Sequence, residues 1–296
     1  MGACNCAEKN NQNQELEIDP NDSYKQENFQ NLSPQSVQVD VVPYSGARLE
    51  QTPEYASQSD HSKANMLSPE EASIFGDLEN LNEVPENLLS EKVKQLMDSK
   101  GSSEPPTNEK GPVKLNDGRI YIGQWNQRGV PHGKGRMIFP DGCVYEGEWE
   151  EGRQTGNGHK YWPDGNFYEG AFVNGLMEGN GKLEFEDGNL YEGEFSKDML
   201  NGFGKFLWAD KGMVYEGNWF ENQKHGRGTC KWSDGRTYEG EYAFDKKEGY
   251  GVFSWPNGKK YEGEWKAGKQ HGEGTLIKGG RSKRATWENG KVKKKK

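Results

Sequence analysis

YEGEW at 145–149 stands again at 261–265. Between the two come YEGAF (168–172), YEGEF (191–195), YEGNW (215–219) and YEGEY (238–242), and YIGQW (121–125) precedes them all. Counted from Tyr121, Tyr145, Tyr168, Tyr191, Tyr215, Tyr238 and Tyr261, glycine recurs at +2 and an aromatic at +4, with 23 or 24 residues between tyrosines. The +4 residues are Trp125, Trp149, Phe172, Phe195, Trp219, Tyr242 and Trp265. A catalytic motif is needed once, whereas a motif present seven times is a building unit. Its alternation of apolar and polar positions has period two, the signature of a strand with one apolar face.

The rest of each unit reads as a polar loop, then glycine–x–glycine opening a second alternating strand, as in GKLEF (181–185), GKFLW (204–208) and GVFSW (251–255). Asp-Gly or Asn-Gly follows in most units (Asp141-Gly142, Asp164-Gly165, Asp187-Gly188, Asp234-Gly235, Asn257-Gly258), a strong hairpin signal. The two extra residues, near Val130-Pro131 and in ADKG (209–212), fall in a loop and a turn, where strand register is undisturbed. The expectation is all-β: tandem hairpins in an elongated, single-layer antiparallel ribbon, each unit advancing ~10 Å. A single layer has no second sheet to cover its rings, so the rings must lie over neighbouring strands, and the glycines between aromatics leave room for them.

Tyr-x-Gly-x-Trp, then His-Gly-x-Gly, then Asp-Gly at this period resembles the MORN repeat family (membrane occupation and recognition nexus), over about 113–290. Departures are local: Thr155, Glu178, Asn201 and Glu248 replace the histidine, and the seventh unit has KGG in place of Asp-Gly. The resemblance implies an open, twisted hairpin ribbon. It also implies scaffolding, dimerisation or membrane-apposition roles in junctional, ciliary and cortical proteins, or an accessory role beside an enzyme.

Composition divides the chain. Residues 1–110 hold 4 of the 40 glycines, none of the nine tryptophans, 8 of the 13 prolines, and 20 acids against 8 bases. Such a segment buries too little apolar surface to offset chain entropy, and disorder with one or two short helices is expected. The organisation expected is an arm (1–67), an amphipathic helical segment (68–98), a linker (99–112), the repeats with partial caps (113–290) and a polybasic tail (291–296). Within 68–98, SPEE reads as an N-cap and PENLLSEKVKQLM places Leu88, Leu89, Val93, Leu96 and Met97 on one helical face. The residues preceding the first five repeat tyrosines (Ile120, Val144, Phe167, Leu190, Val214) form an apolar stripe on the face away from the tyrosines that fades at Thr237 and Lys260, and this helix is the candidate to cover it, the alternatives being that it binds a partner protein or is transient.

No catalytic constellation emerges, so the expectation is a non-enzyme with no cofactor, metal, small-molecule substrate or nucleic-acid partner. His132, His225 and His271 are about four and two units apart, too far to converge on a metal, and read as turn residues. The +1 glutamates (Glu146, Glu169, Glu192, Glu216, Glu239, Glu262) read as a solvated row balanced by second-strand bases such as Arg136, Lys182 and Lys205. Cys143 and Cys230 read as small buried thiols.

Both ends suggest a membrane surface. MGACNC places Gly2 where an N-myristoylation site has it, with Cys6 standing where serine or threonine is usual. Cys4 and Cys6 beside it resemble a dual-acylation arrangement. One myristoyl chain binds only marginally, so a second signal is required. Palmitoylation or the C-terminal bases (Arg281, Lys283, Arg284, Lys291, Lys293, Lys294, Lys295, Lys296) would supply one, through anionic phospholipids. The leading expectation is a lipid-anchored scaffold at the cytoplasmic face of the plasma membrane or cell cortex, presenting its ribbon to protein partners. Its open edges suit pairing of two copies. A ciliary or cytoskeletal assembly subunit, and an accessory module of a separate enzyme, are the alternatives.

Overall fold

The computed structural model describes residues 79–81, 83–85, 87–101 and 110–294. The strands are β1 (Glu79–Asn80), β2 (Lys110–Lys114), β3 (Ile120–Trp125), β4 (Pro131–Ile138), β5 (Val144–Glu150), β6 (Arg153–Tyr161), β7 (Phe167–Val173), β8 (Leu176–Glu184) and β9 (Leu190–Ser196). They continue as β10 (Met199–Trp208), β11 (Met213–Phe220), β12 (Gln223–Lys231), β13 (Thr237–Ala243), β14 (Lys246–Ser254), β15 (Lys260–Lys266), β16 (Lys269–Lys278), β17 (Arg281–Glu288) and β18 (Lys291–Val292). One helix, α1 (Glu91–Ser99), lies between β1 and β2. Every strand pairs antiparallel with the next in sequence, so the chain is one unbroken meander in a single open sheet. The sheet reaches beyond 113–290 at both ends, through β1 and β2 in front and β18 behind.

The repeat chemistry explains the interior. Each Tyr ring lies flat across a glycine of its own strand and one of the next. A Cβ at Gly135 would stand 2.1 Å from the Tyr121 hydroxyl, and one at Gly204 would stand 2.2 Å from that of Tyr191. Register stacks these glycines side by side across the sheet, as in Gly147–Gly158–Gly170–Gly181–Gly193–Gly204. Each hydroxyl donates to the carbonyl three residues on, for instance Tyr121 to Gln124 (3.0 Å) and Tyr191 to Glu194 (2.9 Å). The rings then meet edge to face in an unbroken series. Tyr121 contacts Trp125 (5.0 Å) and Trp149 (5.4 Å), and the pattern repeats to Tyr261 with Trp265 and Trp287, both at 5.3 Å. T-shaped geometry places the positive edge of one ring on the negative face of the next. All seven repeat tyrosines are fully buried.

The polar stretch within each unit is not a loop. Second strands start two residues after the first strand ends in most units, through turns whose two central residues both have positive φ: Glu151-Gly152 (49°, 78°), Lys197-Asp198 (51°, 66°) and Phe244-Asp245 (49°, 66°) among them. These are type I′ turns, whose twist matches that of the strands. The second strand then bulges, with the register slipping between, for example, Leu200 and Gly204. The outward amide of the bulge is capped from the preceding strand: Phe203 N–H donates to Glu194 Oε1 (2.8 Å) and Lys134 N–H to Gln124 Oε1 (2.9 Å). His132, His225 and His271 therefore lie within β4, β12 and β16, not in turns. The Asp-Gly turns are three-residue loops, with Gly142 N–H donating to Phe139 O (2.9 Å) and Asp141 Oδ1 accepting from Cys143 N–H (2.9 Å). Both extra residues do fall in turns, at 126–130 and 209–212.

α1 starts later than helical periodicity suggests. Ser90 caps it, its Oγ accepting from Val93 N–H (3.2 Å), so Leu88 and Leu89 precede the helix. All the same, they pack with Leu96, Val93 and Met97 against Ile120, Ile138, Val144, Tyr161 and Phe167. The helix thus covers the first part of the apolar stripe. The SPEE stretch lies outside the described residues.

Candidate functional site

Strand alternation sorts every repeat residue onto one of two faces. The Tyr-bearing face holds the aromatic series (Tyr121 through Trp265, closed by Trp287) and is buried by its own rings. Lysines are set among these rings where other units have apolar or amide groups. Lys247 lies over Phe253 (4.5 Å), Trp265 (4.9 Å), Tyr238 (5.2 Å) and Trp232 (5.4 Å), and Lys224 lies over Trp208 (5.1 Å) while bonding Asp245 (3.2 Å). Burial lowers the pKa of Lys160, which sits over Trp162 (5.0 Å), and raises that of Asp198. Burial raises the hydroxyls of Tyr145, Tyr168 and Tyr191 well above their usual range. It also pushes the Cys143 thiol up to about 12 and the Cys230 thiol to about 11. Thiols held protonated in this way are inert packing groups.

The outer face is built of cross-strand rows. In the first row Arg136, Glu146, His159, Glu169, Lys182, Glu192, Lys205 and Glu216 stand side by side. Up to Glu192, each glutamate has a basic or imidazole side chain on both neighbouring strands, as with Arg136–Glu146 (3.3 Å) and His159–Glu169 (3.7 Å). Beyond Glu216 the register opposes Glu239 with Thr229 and Val252, and Glu262 with Val252 and Thr275. Second-strand bases therefore answer the first part of the row, while in the second part Glu262 is bonded by Lys260 of its own strand (2.6 Å). A shallow open trough of about 850 Å³ crosses β6 to β10 here, lined by His159, Glu169, Lys182, Glu192, Phe203 and Lys205 among others. Among the described residues no three His, Cys, Asp or Glu side chains are grouped to hold a metal, and no helix is long and apolar enough to cross a membrane.

α1 is clamped to this face by charge as well as by packing. Lys92 bonds Glu186 (2.9 Å) and Asp164 O (2.7 Å), and Lys100 bonds Glu184 (2.5 Å) while lying over Phe167 (4.6 Å). Burial alone would raise Glu184, but Lys100 and Lys182 together hold its carboxyl below the usual range.

The C-terminal bases are exposed on β17, β18 and the residues after them: Arg281, Lys283, Arg284, Lys291, Lys293 and Lys294. Arg284 lies 3.6 Å from Glu273 and Lys293 3.6 Å from Glu288. They share one end of the ribbon. Gly2, Cys4, Cys6, Lys295 and Lys296 lie outside the described residues.

Four aromatics were not singled out from the sequence and stand in the open: Phe203, Phe220, Phe244 and Tyr250, 42–58% exposed. Phe203 and Tyr250 occupy the x of Gly-x-Gly, which is polar in the other units, and that departure was the available signal.

Residues 121–144, 145–167, 168–190, 191–213, 215–235, 238–260 and 261–280 each match the MORN repeat, together more than half of the chain. The chain belongs to the MORN repeat family. Among curated relatives of this MORN protein, a Drosophila melanogaster MORN repeat-containing protein 4 homolog is 48% identical over 42 residues, 14% of this chain and 21% of that protein. Phosphatidylinositol 4-phosphate 5-kinase 1 of Oryza sativa subsp. japonica is 43% identical over 42 residues, 14% of this chain and 5% of that protein. The matched stretches thus span about a fifth and a twentieth of these relatives' lengths. Of solved structures, the TCP domain of Drosophila melanogaster SAS-4 (dCPAP), in complex with a proline-rich motif of Ana2, aligns over 63% of this chain and 96% of its own. Its identity is 11% and its TM-score 0.35. A CPAP G-box domain aligns over 60% of this chain and 98% of its own at 13% identity and TM-score 0.33.

Proposed function

We propose that this MORN protein is a non-enzymatic scaffold that holds protein partners at the cytoplasmic face of a membrane. The observation that carries the reading is the single open sheet. Its described side chains fill its own interior or lie on broad, shallow surfaces, and the thiols of Cys143 and Cys230 and the hydroxyls of repeat tyrosines such as Tyr145 are held protonated by burial. A rigid plank of nearest-neighbour contacts suits apposition of other molecules.

Gly2 with Cys4 and Cys6 would carry the lipid anchor. The exposed bases at the far end of the ribbon, Arg281, Lys283, Arg284, Lys291, Lys293 and Lys294, would add contact with anionic phospholipids. Each base near such a leaflet contributes ~1 kcal/mol. At the C-terminal edge β18 pairs only with Trp287 and Glu288 of β17, and the part of β17 before them carries Arg281, Lys283 and Arg284, charges of the kind that blunt edge-to-edge pairing of two copies.

Cell fractionation of wild type and Gly2→Ala with a myristate-analogue label tests the anchor. The expected result is label and membrane pool in the wild type and loss of both in the variant. An unlabelled wild type that pellets with cytoskeleton would replace the membrane reading with an assembly subunit.

A further inference from the structure

The described chain ends in a truncated eighth hairpin. β17 supplies a first strand, with Trp287 in the place of the other units' +4 ring, and its second strand, β18, stops after Lys291 and Val292. Lys293 N–H still donates to Thr286 O (2.8 Å), but before Thr286 the edge of β17 away from β16 has no partner strand among the described residues. Two replacements set this edge apart from the complete units. Lys283 stands where they have the tyrosine, and Ala285 where they have the glycine at +2. Elsewhere the Tyr ring lies across the next strand as well as its own and so forces glycine there. Without that ring, a strand added to β17 has no need of glycine and can carry β-branched side chains. The charge is reversed as well. The +1 residue is a glutamate in six of the seven units, and Glu146, Glu169 and Glu192 face His159, Lys182 and Lys205 on the next strand. In the eighth it is Arg284, exposed beside Arg281, Ser282 and Lys283 and 3.6 Å from Glu273 of the preceding strand.

We propose that the open edge of β17 takes residues 39–42 of a second copy as an added strand, which completes the eighth hairpin and links copies head to tail. The segment lies outside the described residues, and its sequence selects it: SVQVDVV at 36–42 alternates valine with polar residues, the period of a strand with one apolar face, in a residue type that favours strands. Paired as second strands pair in the complete units, Val39 faces Ala285, Asp40 faces Arg284, Val41 faces Lys283 and Val42 faces Ser282. The place opposite the tyrosine is held by Met137, Leu183, Phe206 or Leu276 in complete units, and here by Val41. Asp40 on Arg284 restores the cross-strand acid–base pair with its signs exchanged. Reach selects a second copy. Strands β1 to β17 follow one another across the sheet, which puts β17 ~77 Å from β1 at ~4.8 Å per strand. Residues 43–78 join the segment to β1, and a random-coil chain of that length has an r.m.s. span of roughly 33 Å. Each copy gives one strand at one end and accepts one at the other, a heterologous contact that builds chains of molecules. This pairing goes beyond the scaffold reading and is independent of the lipid anchor at Gly2.

The test uses the full-length, unacylated protein and a fluorescein-labelled peptide of residues 35–46, QSVQVDVVPYSG. Sedimentation velocity over a range of concentrations is expected to take the wild type from monomer to dimer and longer species. Asp40→Lys and Arg284→Glu each set like charges opposite one another and should weaken association about tenfold, while the two substitutions together restore it. The peptide should bind the Asp40→Lys chain, whose edge is intact, and slow hydrogen exchange within 281–286; a scrambled peptide of the same composition should do neither. Arg284→Glu should weaken peptide binding about tenfold. Arg284 is exposed, so thermal melts of this variant and the wild type should coincide at concentrations where both are monomers.

A wild type that stays monomeric and binds no peptide would overturn the proposal, as would association indifferent to both single variants. So would a charge-exchanged double variant that fails to recover, or peptide protection elsewhere in the sheet in place of 281–286. None of these outcomes touches the anchor at Gly2, because the protein used carries no acyl group.

Discussion

Units one to three and units four to seven share one interior and differ in what lies over their outer face. In the first group the stripe residues Ile120, Val144 and Phe167 are at most 2% exposed beneath α1, and the glutamates are answered by Arg136, His159 and Lys182 across the strands. In the second group Phe203 and Tyr250 are more than half exposed, and Glu239 and Glu262 face threonine and valine across the strands, Glu262 being bonded instead by Lys260 of its own strand (2.6 Å). Yet the Tyr–glycine–aromatic contacts are the same throughout, at ring separations of 5.0–5.4 Å at the first unit and 5.3 Å at the last. The interior is thus a local rule that each hairpin satisfies with its neighbour. The outer face carries no such rule, and it is where the two halves have been free to diverge.

The strongest way to break this comparison is to attack the shared interior at matched places. Gly147→Ala and Gly240→Ala each set a methyl group 2.6 Å from both a partner glycine's Cα and a Tyr hydroxyl. Because backbone stands on one side, the strain cannot be relieved by a rotamer change, and each substitution should cost about 3 kcal/mol or more. The two costs should agree within about 0.5 kcal/mol in urea unfolding, the usual scatter for independent sites. A large loss at one and none at the other would show that the halves do not share an interior.

Alkaline pH should act on both halves together. The buried hydroxyls of Tyr145, Tyr191 and Tyr238 have pKa values raised chiefly by burial, so the folded chain holds protons that the unfolded chain releases. This contribution is complete below the unfolded value of ~10 and is lost as pH rises from there toward the folded values. In a chain with the exposed Tyr250, and Tyr24, Tyr44 and Tyr55 outside the described residues, replaced by Phe, melting temperature should hold from pH 8 to 9.5 and fall steeply by pH 11, with tyrosinate absorbance at 295 nm appearing only on unfolding. Tyrosinate forming near pH 10 in a ribbon that stays folded would contradict the flat-ring packing.

Much of that interior was legible because it is periodic. Tyr at 0, glycine at +2 and an aromatic at +4 specify which face is apolar and why glycine must sit between the rings. The turns were not legible. Lys197-Asp198, Glu221-Asn222 and Phe244-Asp245 adopt positive φ without a glycine, a conformation set by the hairpin twist and invisible in composition, so the segment reads as loop. Leu88 and Leu89 fit a helical period but precede the cap at Ser90, since packing on the sheet orders them without helix. Trp287 belongs to a strand that lacks the tyrosine and is nevertheless buried as the last ring of the series. Of the candidate site, the carboxylate rows were legible as spacing, but which of them would meet a base depends on register. The membrane-directed residues at the N-terminus lie outside the described residues, so the structure leaves that proposal to the fractionation experiment.

The covering of the first half can be removed by itself. Val93 is fully buried against the stripe, and Val93→Asp would set an unpaired carboxylate there. Undocking of α1 is the cheaper response, with a loss of about 2–3 kcal/mol set by the apolar contacts forfeited. Hydrogen exchange should quicken at β5–β7 and stay unchanged at β12–β16, because each unit depends chiefly on its neighbours. Quickening along the whole ribbon would make α1 a clamp on the entire sheet.

The smallest effect expected is the most telling about the outer face. Phe167 and Phe203 are both phenylalanines on that face, 1% and 52% exposed. Phe167→Ser removes a ring packed beneath α1 and under Lys100, and should cost roughly 3–5 kcal/mol, as large-to-small changes at filled sites do. Phe203→Ser removes a ring that stands in solvent, and its stability change in the isolated protein should stay within about 0.5 kcal/mol. The backbone bond from Phe203 N–H to Glu194 survives the substitution, so no bulge geometry is lost with the ring. If urea unfolding instead gives Phe203→Ser a cost near that of Phe167→Ser, some part of the chain already covers this surface, and the second half is no more open than the first.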